Sequence, residues 1–335
     1  MFKFKPHKAS GFNQKGSGHT SLFYVLALLT IFAIIGIFKN VASHADSNII
    51  QIKSGYAGYC LDDKNSLVAN GAPLDLYKCN GSDAQGWQII DAQIVHSGLC
   101  LSVKDNSVTV GAAVVLDSCS NNDPGQVWLV DDQGLYNPNS SLCLSTSSDD
   151  PGSRVVISNC SDLGQNEEIW QTNWTSADCP ASGEGQKVAC SAINEWVSWH
   201  EPGANHMALL TSYTDGAPNE EWCADFVSYV YKEAGFPFKG GETNGWDENN
   251  ANNIVNRGFN AHGLKYQPVV GDVAYFNYAG GHVEIVISSG KTPTFLYGNS
   301  ATIDPTTGNG DMESNTITSV QGLGSLVYYM SPKAS

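Results

Sequence analysis

Positive charge is scarce in this 335-residue chain: 17 Lys and Arg stand against 33 Asp and Glu. Five of the 17 (Lys3, Lys5, Lys8, Lys15 and Lys39) precede Val41, in a stretch without a single acid. The remainder therefore carries 12 basic against 33 acidic side chains, a balance of −21. Such a body repels phosphate backbones, which excludes nucleic acid as a partner. Clusters of Cys and His at zinc-ligand spacing are also missing, so neither a metal nor a cofactor is expected. Acidic runs such as Asp247-Glu248-Asn249 read as solvated turns. Charged residues amount to only 15%, while glycine reaches 34, a balance that points to a turn-rich, β-rich protein. Hydrophobic residues at 41% and aromatics at 10% are enough to bury real cores. The length suits two domains of roughly 150 residues.

Residues 1–45 read as a targeting segment. A polar, basic start leads into an uncharged apolar run from Leu22 to Phe38, followed by Ser43-His44-Ala45 in the positions a signal peptidase reads. The run lies between a signal-peptide core and the roughly 18 residues that span a bilayer, so a retained membrane anchor is the alternative. Either way the lysines stay inside and the body lies outside the cytoplasm, secreted or on the cell envelope. The only membrane contact expected is through this segment.

The nine cysteines carry an internal repeat. Cys60 to Cys79 and Cys100 to Cys119 are spaced by 19 residues, and Cys143 to Cys160 by a similar interval. Each first cysteine is followed by leucine (Leu61, Leu101, Leu144), each second one follows an apolar strand, and each repeat closes on a tryptophan (Trp87, Trp128, Trp170). Three copies of short strands with turn signals argue for a closed all-β unit. The spacing pairs Cys60–Cys79, Cys100–Cys119 and Cys143–Cys160, and Cys179–Cys190 closes a fourth short loop in an exported chain. Cys223 is left over.

Three Cys-Leu repeats ending in Gln-x-Trp resemble the ricin-type β-trefoil lectin, over residues 46–175. The third repeat departs from it with Glu168. The resemblance implies a sugar site in the first repeat at Asp62, Asp75, Tyr77 and Gln85, where an aromatic face would pack a sugar's C–H surface and polar groups would fix its hydroxyls. Ser102 and Asp117 in the second repeat, and Ser145 and Ser158 in the third, lack that set. The tryptophans read as core.

Residues 176–190 read as a linker, and 191–335 as a mixed α+β domain. Ile193, Trp196, Val197 and Trp199 suggest one helix. A second starts beyond Pro218-Asn219-Glu220-Glu221 and ends at Gly235-Phe236-Pro237, with Cys223 in its first turn. An anion is stabilised there, so a lowered thiol pKa is expected. Downstream, Gly271–Phe276 and His282–Ile287 form a hairpin, and Phe295–Tyr297 leads to Gly298-Asn299-Ser300. Cysteine on a helix, histidine on a strand and an Asn beyond is the Cys-His-Asn arrangement of papain-like hydrolases. His200, His206 and His262 compete with His282 for the base.

The run Glu221-Trp222-Cys223-Ala224-Asp225-Phe226, followed by Gly271-Asp272-Val273, Gly281-His282-Val283 and Gly298-Asn299, is similar to the CHAP family of cysteine- and histidine-dependent amidohydrolases and peptidases acting on peptidoglycan. The resemblance implies Cys223 as nucleophile, His282 as base and Asn299 as the third member. Many relatives have an acid two positions before that Asn, where this chain has Tyr297, so Glu284 is a second orienting candidate. The expectation is a monomeric, exported hydrolase of a peptidoglycan amide bond, held on surface glycans by its lectin. It would be an N-acetylmuramoyl-L-alanine amidase or an endopeptidase, and the sequence does not choose between them. The alternatives are a lectin-targeted protease of proteins and an inactive glycan-binding adhesin.

Overall fold

The computed structural model describes residues 49–55, 58–90, 92–131, 134–148, 150–160, 170, 183–218, 220–239, 251–277, 281–290, 292–316 and 325–333. The chain divides into Met1–Asp46 and Ser47–Ser335, and everything below concerns the second part. The expected signal or anchor helix lies outside the described residues, as does Asp247-Glu248-Asn249. Among the described residues no helix is long and apolar enough to cross a membrane.

Each cysteine repeat forms an antiparallel hairpin. These are β1 (Tyr59–Asp63) with β2 (Ala72–Lys78), β5 (Leu99–Val103) with β6 (Val114–Ser118), and β9 (Leu142–Thr146) with β10 (Val155–Ser158). Equivalent cross-strand pairs face one core: Leu61 with Leu76, Leu101 with Leu116, and Leu144 with Ile157. Disulfides Cys60–Cys79, Cys100–Cys119 and Cys143–Cys160 tie the hairpins.

The hairpin tips close in a ring. Gly71 N–H donates to Leu116 O at 2.7 Å, Gly111 N–H to Ile157 O at 2.8 Å, and Gly152 N–H back to Leu76 O at 2.7 Å. These tip glycines have φ of 78°, 85° and 84°, a region that glycine enters without a Cβ penalty. β3 (Gln88–Ile90) with β4 (Gln93–His96), and β7 (Leu129–Asp131) with β8 (Gly134–Asn137), join successive repeats. Trp87 and Trp128 are buried in the core, donating their indole N–H to Leu61 O at 3.1 Å and Leu101 O at 3.0 Å. The sheet-rich region thus has threefold trefoil architecture.

A mixed α/β region follows. Helices α1 (Glu184–His200), α2 (His206–Tyr213) and α3 (Cys223–Glu233) accompany an antiparallel sheet. Its strands are β11 (Phe259–His262), β12 (Val273–Asn277), β13 (His282–Ser288), β14 (Thr294–Tyr297), β15 (Glu313–Thr316) and β16 (Ser325–Pro332), in the order β11-β16-β12-β13-β14-β15. Val188, Ala192 and Trp199 of α1 pack with Phe226, Val227 and Val230 of α3 on Val283, Ile285 and Ile287 of β13.

The segment read as linker, 176–190, needs correction at its C-terminal end, because Glu184 to Cys190 are already helical. Val188 and Ala189 are fully buried there, and that burial outweighs the small, polar composition that suggested a linker. Gly185 lets the helix approach Val270 and Gly271 so closely that a side chain would collide with backbone. Cys190 is disulfide-bonded, and its expected partner Cys179 lies outside the described residues. Helix α2, which sequence periodicity did not reveal, is capped by Asn205, whose side chain accepts from Ala208 N–H at 3.1 Å.

Candidate functional site

Cys223 is the first residue of α3, free and buried. Trp222, just before it, has no exposure and stacks on Trp199 and Tyr213 at 5.4 and 5.7 Å. The same indole lies against Gly298, where any Cβ would collide with it. The backbone N–H groups of Val283 and Ala224 point at the Cys223 sulfur, so the thiol lies against the residue that follows His282.

The expected lowering of the thiol pKa is not found. Burial pushes the Cys223 thiol up to about 12, the Asp225 and Glu221 charges push the same way, and the two N–H donors only partly offset this. Loss of water around a sulfur anion outweighs the helix N-terminus in this closed arrangement. Burial likewise pushes His282 down to about 4, so both the thiol and the imidazole are neutral at pH 7.

His282 opens β13, and the Tyr297 ring stands perpendicular to its imidazole with centroids 5.1 Å apart. Glu284 Oε1 lies 3.6 Å from His282 Nε2. β13 and β14 pair Ile285 with Leu296 and Val286 with Phe295; carried on, that register sets Asn299 level with His282. β14 ends at Tyr297, however, and Asn299 has left-handed backbone, φ 61°, which Asn tolerates better than most residues.

The three competing histidines have structural partners. A His200 ring nitrogen lies 2.9 Å from Trp196 O, and His206 sits between Asp304 (3.0 Å) and Trp199 O (2.8 Å). His262 pairs with Ser331 Oγ at 2.6 Å and stacks on Tyr266. In the Gly271-Asp272-Val273 motif, Asp272 Oδ2 accepts from Val269 N–H and Tyr266 O–H, both at 2.9 Å, and so shapes the turn into β12.

In the first trefoil repeat, Asp62 and Asp75 are cross-strand partners, and the Tyr77 ring is 49% exposed beside them. Lys64 Nζ pairs with Asp75 Oδ2 at 3.3 Å. Gln85 has no exposure. It donates to Asp62 Oδ2 at 3.0 Å and to Lys78 O at 2.9 Å, and accepts from Asn80 N–H at 2.9 Å. Its side chain holds Asp62 and has no exposure, whereas the resemblance placed it among the groups of the sugar site itself. Gln126 repeats this role in the second repeat, donating to Ser118 O and accepting from Ser120 N–H, but Ser102 replaces the aspartate. Among the described residues no group of His, Cys, Asp and Glu is arranged to hold a metal.

A disulfide-tied trefoil followed by a mixed α/β region with a buried cysteine at a helix start defines the class of protein. Residues 48–166 match the ricin-type beta-trefoil lectin domain, and residues 212–299 match the CHAP domain. The chain carries both. Among solved structures it is similar to the designed threefold-symmetric protein ThreeFoil, with 29% identity and TM-score 0.34, covering 37% of this chain and 96% of that one. It is also similar to the agglutinin from Abrus precatorius, with 25% identity and TM-score 0.34, covering 40% and 51%. A non-toxic homologue of type II RIPs from Momordica charantia, in complex with α-methyl-D-galactoside, has 25% identity and TM-score 0.32, covering 38% and 48%. The chain thus spans about half the length of these two plant proteins. No curated protein matches it. The two domain matches support a hydrolase of the amidase or peptidase type and a glycan-binding module.

Proposed function

We propose that the protein is an exported cell-wall hydrolase that cleaves an amide bond of peptidoglycan, with its trefoil holding it on glycan. The observation that carries this reading is the Cys223 sulfur at the head of α3, receiving an N–H from the residue after His282. Three disulfides suit an oxidising compartment outside the cytoplasm. Residues 46–175 are the lectin module and 191–335 the papain-like catalytic module, with α1 reaching back across that boundary.

At rest the thiol and imidazole are both neutral, so His282 removes the thiol proton as the substrate carbonyl is attacked. The thiolate adds to the carbonyl and the imidazolium returns its proton to the leaving amine. Water then hydrolyses the thioester. N–H groups at the start of α3, which lack intrahelical partners, suit the developing oxyanion. In the lectin module, Asp62, Asp75 and the exposed Tyr77 face carry the sugar, and Gln85 fixes Asp62.

Zymography on purified cell walls tests the reading. Wild-type protein should clear the wall, while Cys223→Ala and His282→Ala should not, with folding and glycan retention intact. Mass analysis of released fragments then distinguishes amidase from endopeptidase. Clearing by the Cys223→Ala protein would overturn the assignment.

A further inference from the structure

Glu284 is placed where its carboxyl can serve His282. The two side chains share one face of β13 as alternate residues, and Glu284 Oε1 lies 3.6 Å from His282 Nε2. Both are sealed from water, at 2% and 0% exposure. Neither His282 Nε2 nor Glu284 Oε2 has a hydrogen-bond partner among the described residues. One side chain holds the carboxyl: Asn315 Nδ2, on β15, donates to Glu284 Oε1 at 3.2 Å. Burying a carboxyl with so little compensation is costly, and such arrangements cluster at functional sites.

The neighbouring positions do not supply this service. The Tyr297 ring stands perpendicular to the imidazole and sends its hydroxyl to Glu313 Oε2 at 3.0 Å. Asn299 leaves the line of β14 with left-handed backbone. We propose that Glu284, held in place by Asn315, is the positioning residue for His282. Its carboxylate accepts the Nε2 proton, which leaves Nδ1 as the basic nitrogen for the Cys223 thiol. The carboxyl thus comes from the histidine's own strand. This inference rests on the Cys223–His282 reading above.

Burial alone moves Glu284 well above the usual carboxylate range and His282 below its own, and a hydrogen bond between them offsets both costs. The other titratable groups near this pair are Glu313 on β15, Tyr297 on β14 and Tyr329 on β16, with Cys223 beyond on α3. Residues of β12 on the same face, Ala274 and Phe276, are apolar.

The test combines wall-hydrolysis kinetics across pH with histidine ¹⁵N NMR on the full chain, comparing wild type with E284A, E284Q, N315A and N299A. E284A should lower kcat about 10- to 100-fold with KM little changed, a loss typical of an orienting partner. It should also abolish the Nε2–H tautomer signal of His282. E284Q keeps an acceptor oxygen and should retain that signal, but without the carboxylate charge its acid limb should move to lower pH. N315A should fall between wild type and E284A, and N299A should keep the tautomer. If E284A fails to fold, the E284Q pH shift and the N315A spectrum decide. A tautomer and pH profile indifferent to Glu284 but lost in N299A would overturn the proposal. A Glu284-dependent tautomer in a protein that clears no wall would support the positioning and sink the hydrolase reading instead.

Discussion

Trp196 on α1 donates its indole N–H to Val130 O, in the trefoil, at 3.0 Å, and its ring lies parallel to that of Tyr136 at 6.3 Å. Around this contact Ala92, Val127 and Leu129 of the trefoil enter the hydrophobic core of the α/β region. Ser288 Oγ and Ser289 N–H, at the end of β13, both donate to Asn121 O, at 3.1 and 3.2 Å. The strand that begins at His282 therefore ends on the lectin.

That shared core predicts coupled unfolding. Trp196→Ala should cost about 3–5 kcal/mol, as for other buried aromatic truncations. Trp196→Phe, which loses only the hydrogen bond and some area, should cost roughly 1–3 kcal/mol. Calorimetry should show one transition in wild type, with glycan retention and hydrolysis lost at the same temperature. Two well-separated transitions in wild type would contradict a common core.

The sugar site should divide by role. Asp62→Ala should weaken retention on a glycan array about 10- to 100-fold, the worth of a lost charge-assisted hydrogen bond. Tyr77→Ala should weaken it comparably while leaving stability unchanged, because that ring is half exposed. Gln85→Ala should weaken retention and also lower stability, since three hydrogen bonds of a buried side chain go with it. Equal retention by the Asp62 and Tyr77 variants and wild type would place binding elsewhere.

Acid should destabilise the fold through His282. Its folded pKa of about 4 lies below the ordinary 6.5, so between those values the unfolded chain binds a proton that the folded chain refuses. Stability therefore rises with pH from about 4 to 6.5 and is lost on acidification, by at most about 3 kcal/mol, since the proposed Glu284 hydrogen bond brings the His282 pKa part of the way back up. Buried acids with raised pKa, such as Asp272, act with the opposite sign, so the comparison must be between proteins. As pH falls from 6.5 to about 4, the urea midpoint of wild type should drop relative to that of His282→Gln; parallel curves would refute it.

Gly298 should tolerate no side chain. Gly298→Ala drives a methyl into the Trp222 ring, an overpacking cost of roughly 1–3 kcal/mol, and Trp222 is the residue directly before Cys223. Hydrolysis should drop further than stability alone explains. Rates measured well below the melting temperature separate the two effects, and a wild-type rate there would mean Trp222 does not position the thiol.

The cysteine spacing, the leucine after each first cysteine and the closing tryptophans made the three hairpins legible, because a disulfide and a buried aliphatic pair recur at similar offsets. The helix start at Cys223 and the alternation of Val283, Ile285 and Ile287 were legible for the same reason: local periodicity reports which face is buried. What tertiary structure decided is the environment of the chemistry. Helix position suggested an acidic thiol, but only packing reveals that Cys223 is sealed from water, and desolvation then reverses the direction. Asn315 carries no sequence signal, since Glu313-Ser314-Asn315-Thr316 is a polar strand, yet the sheet order brings it over β14 to Glu284. The role of Gln85 was hidden likewise, because a glutamine beside a sugar site and one buried behind an aspartate read alike in sequence. Spacing specifies which residues share a strand or a helix face; hydration and contacts across strands exist only once the chain has closed on itself.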